Sequence, residues 1–452
     1  MFSKFSLPPI RRRRTGLHYP LFVAAAVLTL GALYGCKDSV ASQTPAAKSA
    51  AASQPAWKKA DYAPTLKTQP KVADMTALGK LMFYDVSLSG SGKVSCATCH
   101  SADHAYGPPN NLPVQMGGKD GNLAGTRAVP SLRYLQTVPN FSEHFFDDDG
   151  DDSVDAGPTG GHNWDGRART VHDQARIPLL AVNEMANASA ADVAAKVAKA
   201  PYAGQFRKVF GEDIFKDPDT AFKWATMALE VFQETPTEFY PYSSKYDAYL
   251  RHQIKLSPQE MRGLQVFNDE DKGNCASCHI SAVAENGAFP NFSDFGLIAL
   301  GVPRNMKIPA NVDPAHFDMG ACGPDRTDLK GRGEFCGLFR TPSLRNVATR
   351  KVFMHNGEFT SLEQVVRFYN ERDTNPAKWY PRGKDGKVIA HNDLPDQYKD
   401  NLNQDPPFGR KPGQKPAMSE ADIRDVVAFM KTLTDGYTDP VQEGGKLRTA
   451  HK

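Results

Sequence analysis

The sequence lacks a strong excess of charge of either sign. Its 452 residues carry a formal charge of +3 at pH 7. Residues 1–35 hold five basic side chains and no acidic one, so the rest of the chain has a formal charge of −2. Proteins that bind nucleic acid present a basic surface to the phosphates. We therefore expect no nucleic acid partner, and we interpret the basic N-terminal run as part of a targeting signal.

The sequence also has few apolar residues and no run of alternating strands. The hydrophobic share is 40%, and 36 glycines and 33 prolines indicate many loops. Segments with helical periodicity are residues 76–84, 189–200, 219–234, 257–267 and 419–433. We predict an all-α fold with long loops.

No apolar run is long. Residues 21–30 (LFVAAAVLTL) follow the arginines and lead to Cys36. This pattern resembles a bacterial lipoprotein signal that is cleaved before Cys36, whose thiol is then lipidated. An uncleaved membrane anchor is the alternative, although the run is short for a bilayer span. We predict a signal peptide at 1–35, a flexible tether at 36–70, and a periplasmic body with a lipid anchor in a bacterial membrane.

Cysteine is scarce, but four of the seven fall in two Cys-x-x-Cys-His motifs, at residues 96–100 and 275–279. Two thiols at this spacing can form thioethers with the haem vinyl groups, and the histidine can bind the iron. A zinc ribbon or a thioredoxin-like dithiol is the alternative. Zinc needs four ligands in one small module, and a dithiol needs no following histidine. We predict two covalent haem c groups, held by Cys96, Cys99, His100, Cys275, Cys278 and His279.

A repeated pattern precedes the two motifs. Gly-x-x-x-Phe occurs at residues 79–83 and again at 263–267, each time just before a haem motif. The repeat predicts two cytochrome c-like domains with one haem each. We place the N-terminal domain at 71–248, the C-terminal domain at 249–440 and a tail at 441–452.

The remaining two cysteines are Cys322 and Cys336, in a loop rich in Gly, Asp and Arg. In an oxidising compartment they most simply form a disulfide. Such a loop closure contributes roughly 3 kcal/mol in the chain-entropy model. Two free thiols are the alternative.

Further motifs follow in a fixed order. Between the haem motifs lie Trp-Asp-Gly-Arg at 164–167, Gln174 and Glu184, and after them Thr-Pro-Ser-Leu-Arg-Asn at 341–346 and Met-His-Asn-Gly at 354–357. With these motifs the chain resembles the bacterial dihaem cytochrome c peroxidase and MauG superfamily over nearly all of its length after the tether.

The resemblance implies roles for three residues. In the family the N-terminal haem reacts with peroxide, and its distal pocket carries a Gln and a Glu, which match Gln174 and Glu184. The carboxylate can move a proton between the peroxide oxygens, and the amide can hold the bound oxygen. Trp164 matches the tryptophan that lies between the two haems. An exposed helix-end acid is the alternative for Glu184, and plain core packing is the alternative for Trp164.

The resemblance also concerns the open face of the first iron. Family peroxidases often carry a distal histidine there, but the corresponding loop at 111–118 has none. His104 lies four residues past His100, too close to reach over the haem. We expect an iron open to peroxide, as in MauG, with Met116 the one nearby residue that could contradict this.

The second ligand of the C-terminal haem separates the subgroups. Family peroxidases use methionine and MauG uses tyrosine, and the family position falls on Tyr369. A capping box predicts that Tyr369 lies on a helix over 360–369. Met354 is the rival ligand, and Tyr369 as a core aromatic is a further alternative. A phenolate would lower the potential of the iron, whereas a thioether would raise it.

Two residues depart from the family. Ala128 follows Arg127 where the family has a calcium-binding Asn, so a Ca²⁺ ion is possible but disfavoured. Gly273 stands where MauG presents a surface tryptophan to its protein substrate, which argues against the same maturation reaction.

These features predict a MauG-like dihaem peroxidase. Hydrogen peroxide would react at the N-terminal haem, and the C-terminal haem would store or relay the oxidising equivalent. The first alternative is a conventional cytochrome c peroxidase supplied by a small c-type cytochrome or cupredoxin. The second is a non-catalytic electron-transfer cytochrome, which needs neither an open iron nor Gln174 and Glu184. The partner could instead be a protein substrate.

Overall fold

The computed structural model describes residues 69–146 and 155–438. The predicted signal peptide, Cys36, nearly all of the tether and the C-terminal tail lie outside these ranges. The helices in the described part are α1 (Val72–Tyr84), α2 (Cys96–Cys99), α3 (Val171–Leu180), α4 (Ala190–Val197), α5 (Ala203–Phe210), α6 (Pro218–Gln233), α7 (Pro236–Phe239), α8 (Lys245–Leu250), α9 (Pro258–Asn268), α10 (Leu362–Glu371), α11 (Pro376–Trp379) and α12 (Glu420–Lys431). None of these described helices is long and apolar enough to cross a membrane.

Short strands and 3₁₀ turns connect the helices. Two antiparallel pairs are formed by β1 (Met116–Gly117) with β2 (Leu123–Ala124), and by β3 (Leu297–Ile298) with β4 (Phe339–Arg340). The 3₁₀ turns are Val86–Leu88, Ala102–His104, Ile214–Lys216, Cys275–Ser277, Pro309–Val312, Gly333–Phe335, Val347–Thr349 and Asp396–Asn401. The described fold is thus mostly helical with long loops, and the two-residue strands are an addition to the predicted all-α pattern.

Serine side chains begin several helices as their sequence predicts. Ser189 caps α4, and Ser257 forms a reciprocal capping box with Glu260 at the start of α9. At α10 the prediction needs a correction. Ser361 accepts from the Gln364 N–H, but the Gln364 side chain accepts from the N–H of Thr360 rather than from that of Ser361.

Three apolar clusters form the interior of the described residues, and two of them join the longer helices. The first joins α1, α3, α4 and α6, and it contains core residues between Met75 and Phe239. The second joins α9, α10 and α12, with core residues between Tyr246 and Leu433. The proposed boundary at residue 248 stays a prediction.

Each of these two helical clusters contains one very close helix crossing at the glycine of Gly-x-x-x-Phe. A Cβ on Gly79 in α1 would lie 1.9 Å from the carbonyl oxygen of Ala228 in α6. A Cβ on Gly263 in α9 would lie 1.9 Å from the carbonyl oxygen of Asp425 in α12. Only glycine permits this approach, and both helices lead directly to a Cys-x-x-Cys-His motif.

We expect Gly79→Ala and Gly263→Ala each to lower the free energy of unfolding by about 1–3 kcal/mol, because the added methyl group forces the helices apart. Gly204→Ala is the matched control. Gly204 also lies in a helix, α5, but its Cβ would meet no atom of the described residues within 4 Å. There alanine should be neutral or stabilise by about 0.5–1 kcal/mol. Urea unfolding followed by circular dichroism measures all three, and equal midpoints for Gly79→Ala and Gly204→Ala would contradict the crossing.

Candidate active site

The first Cys-x-x-Cys-His motif is prepared to bind a metal through its histidine. Cys96–Cys99 form one helical turn, and both thiols are free and partly accessible. The Nδ1–H of His100 donates to the carbonyl oxygen of Tyr106 at 2.8 Å. This bond fixes the ring and leaves Nε2 as the ligand atom. Burial lowers the pKa of His100 to about 4, so the imidazole is neutral at pH 7, as an iron ligand must be.

The second motif has the same arrangement. The Nδ1–H of His279 donates to the carbonyl oxygen of Phe292 at 2.9 Å, and burial lowers the pKa of His279 to about 4. Cys275 and Cys278 form no disulfide and are partly accessible. Burial raises the pKa of the Cys275 thiol to about 12. The two motifs therefore offer equivalent ligand sets.

A largely apolar cavity of about 200 Å³ lies beside His279. Tyr369 on α10 and Met354 both line it, so the structure brings both candidate second ligands to the same cavity. The Tyr369 ring packs against Phe408 at 5.2 Å between centroids. Burial raises the pKa of the Tyr369 phenol, and the nearby thiols Cys278 and Cys275 add to the effect.

Two arginines on the wall of this cavity are suited to pair with the propionates of a haem. Arg340 is 6% exposed, and its Nη1 has no hydrogen-bond partner among the described residues. Arg350 donates to backbone, to the carbonyl oxygens of Val129 and Val352 at 3.0 and 3.2 Å. Burial lowers the pKa of each to about 10, so both are still cations at pH 7. Removing a cation from water without a carboxylate partner costs free energy of folding. The haem propionates are carboxylates that would pair with these two arginines.

Trp164 lines the same cavity and is buried. Its Nε1–H donates to the carbonyl oxygen of Ala128 at 2.7 Å. The cavity continues to Pro130, whose carbonyl lies beside His100. The indole therefore lies on the wall of a cavity that joins the surroundings of both histidines.

Glu184 lines a second cavity, of about 560 Å³. The Glu184 residue is exposed at this cavity, and desolvation by the protein around its carboxyl group raises the pKa of that group. The charge of Arg167 opposes the shift, and that of Asp325 reinforces it. Burial raises the pKa of the Cys99 thiol, and the charge of Glu184 adds to this effect. The Glu184 carboxylate therefore lies near the first haem motif.

A buried charge network forms one side of this cavity. Asp165, fully buried, accepts from Arg127 Nη1 and from Arg167 Nη1, each at 2.6 Å. Arg127 also binds Asp318 at 2.6 Å, and Arg167 binds Asp325 at 3.3 Å. The turn at 164–167 thus joins Trp164, which lines the cavity beside His279, to Arg167, which lines the cavity of Glu184.

The acids that complete the network come from far along the chain. Asp325 belongs to the loop that is closed by a disulfide between Cys322 and Cys336, with Cα atoms 4.9 Å apart. The disulfide was predictable from the sequence, whereas Asp325, Arg340 and Arg350 were missed. Nothing in their local sequence sets these three residues apart from surface charges.

Other candidate residues lie less centrally. Gln174 is half-buried on α3 and is not among the described residues that line the Glu184 cavity. Met116 is 43% exposed on β1. Close to it, Gly118 donates its N–H to the carbonyl oxygen of Glu184 at 2.8 Å. His104 Nδ1 pairs with Ser101 Oγ at 3.2 Å.

The structure shows the surroundings of Ala128 and Gly273, the two residues that depart from the family. Ala128 is buried, and its N–H donates to the carbonyl oxygen of His355 at 2.7 Å. Within residues 69–146 and 155–438 no three His, Cys, Asp or Glu side chains converge as a metal site would require. A Cβ on Gly273 would lie 2.5 Å from the carbonyl oxygen of Val266, so position 273 has no room for a tryptophan without backbone movement.

Comparison with known proteins gives a consistent result. The family model described as di-haem cytochrome c peroxidase matches residues 73–255. The methylamine utilization protein MauG of Paracoccus denitrificans is 33% identical over 85% of this chain and 94% of its own. The cytochrome c551 peroxidase of Nitrosomonas europaea is 28% identical over 82% of this chain and 89% of its own. The crystal structure of the diheme peroxidase BthA from Burkholderia thailandensis superposes with a TM-score of 0.72 and 39% identity, over 81% of this chain and 87% of that one.

Proposed function

The chain belongs to the dihaem cytochrome c peroxidase and MauG family and is an oxidoreductase of that type, and we propose that it is a MauG-like peroxidase. Hydrogen peroxide is cleaved at the haem of residues 96–100, and the haem of residues 275–279 stores or relays the oxidising equivalent. A bound haem supplies the iron at which the O–O bond breaks and electrons for that reaction. The protein supplies the proton transfer.

The observation that carries this proposal is Glu184, a carboxylate with a raised pKa in a cavity near the first haem motif. As a base it takes the proton from the inner peroxide oxygen, and as an acid it returns the proton to the outer oxygen, which leaves as water. The charge of Arg167 favours the ionised carboxylate, and that of Asp325 opposes it. Gln174 holds the bound oxygen in this proposal.

His279 and Tyr369 would hold the iron of the second haem, and Trp164, on the wall of the same cavity, would relay electrons between the two sites. A phenolate favours high oxidation states of iron, which suits storage of an oxidising equivalent. Met354 lines the same cavity and supports a second candidate function. With a thioether ligand the protein would be a conventional cytochrome c peroxidase, supplied by a small cytochrome or cupredoxin.

Location and partners belong to the same proposal. Cleavage before Cys36 and lipidation would leave the enzyme in the periplasm on a membrane anchor, where haem c is attached. There it would meet peroxide and a small electron donor or a protein substrate.

We expect two covalent haems per chain. After acid–acetone extraction both should stay with the polypeptide, because thioether bonds survive the treatment, and a pyridine haemochrome assay should count two. Cys275→Ala/Cys278→Ala should reduce the count to one. A count of one in the wild type would contradict the equivalence of the two motifs.

The function itself is tested by adding one equivalent of peroxide to the holoprotein without a donor. Optical and EPR spectra should then change at both haems. A change at one haem only would favour the conventional peroxidase. Unchanged spectra and unconsumed peroxide would leave only an electron-transfer cytochrome.

A further inference from the structure

The two haem histidines are oriented by different aromatic residues. The carbonyl oxygen that accepts from His100 belongs to Tyr106, whereas the one that accepts from His279 belongs to Phe292. Both rings are buried, at 2% and 0% exposure. The two residues thus hold the same position in the two halves, and only the first carries a hydroxyl group.

The packing of the two rings is also equivalent. Tyr106 lies edge-on to Phe83 with 5.6 Å between ring centroids, and Phe292 lies edge-on to Phe267 with 6.1 Å. Phe83 and Phe267 are the phenylalanines of the two Gly-x-x-x-Phe patterns. Because phenylalanine fills this position in the second half, the fold does not require the hydroxyl of Tyr106.

That hydroxyl has a charged partner. It donates to Oε2 of Glu238, and Oε1 of the same carboxylate pairs with Lys80 Nζ. A carboxylate in direct hydrogen-bond contact can take the phenolic proton at the moment when the phenol loses an electron. Phe292 has no such chemistry, so the arrangement is specific to the half in which peroxide is cleaved.

A short series of rings leads from Tyr106 to the surface. Phe83 lies between Tyr106 and Tyr84, with 5.4 Å between the centroids of Phe83 and Tyr84. Tyr84 is 45% exposed at the end of α1. The route therefore runs from the iron ligand His100, through the carbonyl of Tyr106 and its ring, to an exposed phenol.

We propose that Tyr106 is an oxidisable tyrosine of the first haem site, with Glu238 as its proton acceptor and Tyr84 as the exposed site at which small aromatic reductants are oxidised. This inference rests on the proposed function. Reduction of peroxide to two waters consumes two electrons, and Tyr106 supplies one of them to the oxidised haem site while its proton moves to Glu238. The neutral Tyr106 radical then takes an electron from Tyr84 and recovers its proton from Glu238, while the exposed phenol of Tyr84 loses its proton to water. The Tyr84 radical takes an electron from an aromatic one-electron donor and a proton from water, and a second passage through the same cycle supplies the second electron.

The first test is freeze-quench EPR of the holoprotein after one equivalent of peroxide without a donor. We expect a tyrosyl radical signal that narrows when the protein contains ring-deuterated tyrosine. Tyr106→Phe and Glu238→Gln should lose the signal and keep the resting haem spectra. Tyr246→Phe is the matched control and should keep the signal. Tyr246 is 3% exposed, and its hydroxyl donates to the carbonyl of Ser281, which cannot take a proton.

The second test locates the exit. With a nitroso spin trap, mass spectrometry should find an adduct on Tyr84 in the wild type. Tyr84→Phe should lose the adduct and keep the EPR signal. Peroxide consumption without any tyrosyl radical, or an unchanged radical in Tyr106→Phe, would overturn this inference and leave the proposed function standing. Peroxide left unconsumed by the wild type would overturn both.

Discussion

Glu184→Gln is expected to slow peroxide cleavage about a hundredfold or more, because losing a positioned acid–base group typically has an effect of that size. Glutamine keeps the shape of the side chain, so both haems and the resting spectrum should be unchanged. Stopped-flow absorbance after mixing with peroxide measures the rate. Unchanged kinetics would show that Glu184 is only a structural acid.

The pH dependence of the same reaction gives an independent check on Glu184. Desolvation by the surrounding protein raises the pKa of Glu184, although the charge of Arg167 opposes the shift. The base must be ionised to accept a proton, so the rate should fall as pH decreases through this raised pKa. Glu184→Gln should remove this decrease in rate at low pH, which is the acid limb of the pH–rate profile.

Two neighbouring acids provide matched comparisons for the pH profile. Asp325 reinforces the raised pKa of Glu184, so Asp325→Asn should move the acid limb to lower pH. Asp328 lines the same cavity and pairs with Arg326 at 2.8 Å, and its charge is not among those that shift Glu184. Asp328→Asn should leave the limb where it is. Equal shifts in the two variants would mean that the limb reports the general charge of the cavity.

Local sequence was sufficient to locate α1, α4, α6, α9 and α12. A capping box is a contact between residues three apart, so Ser257 and Glu260 predicted the start of α9 correctly. The repeated glycine, from which two domains were predicted, lies at both close helix crossings. A capping box depends only on neighbours in the chain. The close crossing depends on glycine, the one residue type without a Cβ.

Contacts between distant segments were beyond local patterns. Asp325 reaches the Glu184 cavity from a loop about 140 residues further along the chain, and its role depends on where that loop folds. Arg340 and Arg350 differ from surface arginines only in their burial and in the lack of a carboxylate partner among the described residues. The strand pairs are two residues long, too short for any alternation to be visible.

Replacing Tyr369 should produce the largest change at the second haem. If its phenolate binds the iron, the resting haem is ferric, low in potential and hard to reduce. Tyr369→Met should raise the potential by roughly several hundred millivolts, since axial ligands alone move haem potentials over about 0.8 V. Tyr369→Phe should open the face to water and shorten the life of the oxidised state. Spectroelectrochemical titration measures the potential of each variant.

Two further variants distinguish phenolate ligation from thioether ligation. Tyr380 is a second buried tyrosine of this half, whose hydroxyl donates to the carbonyl of Gly301 at 2.6 Å, and Tyr380→Phe should leave the potential unchanged. Met354→Leu should also leave it unchanged, because a thioether that only lines the cavity contributes no ligand field. A wild-type haem that is high in potential, and that falls in potential in Met354→Leu but not in Tyr369→Phe, would make Met354 the ligand. The storage role of the second haem would then be lost, whereas Glu184-dependent peroxide cleavage at the first haem would remain, since the two cavities are lined by different residues.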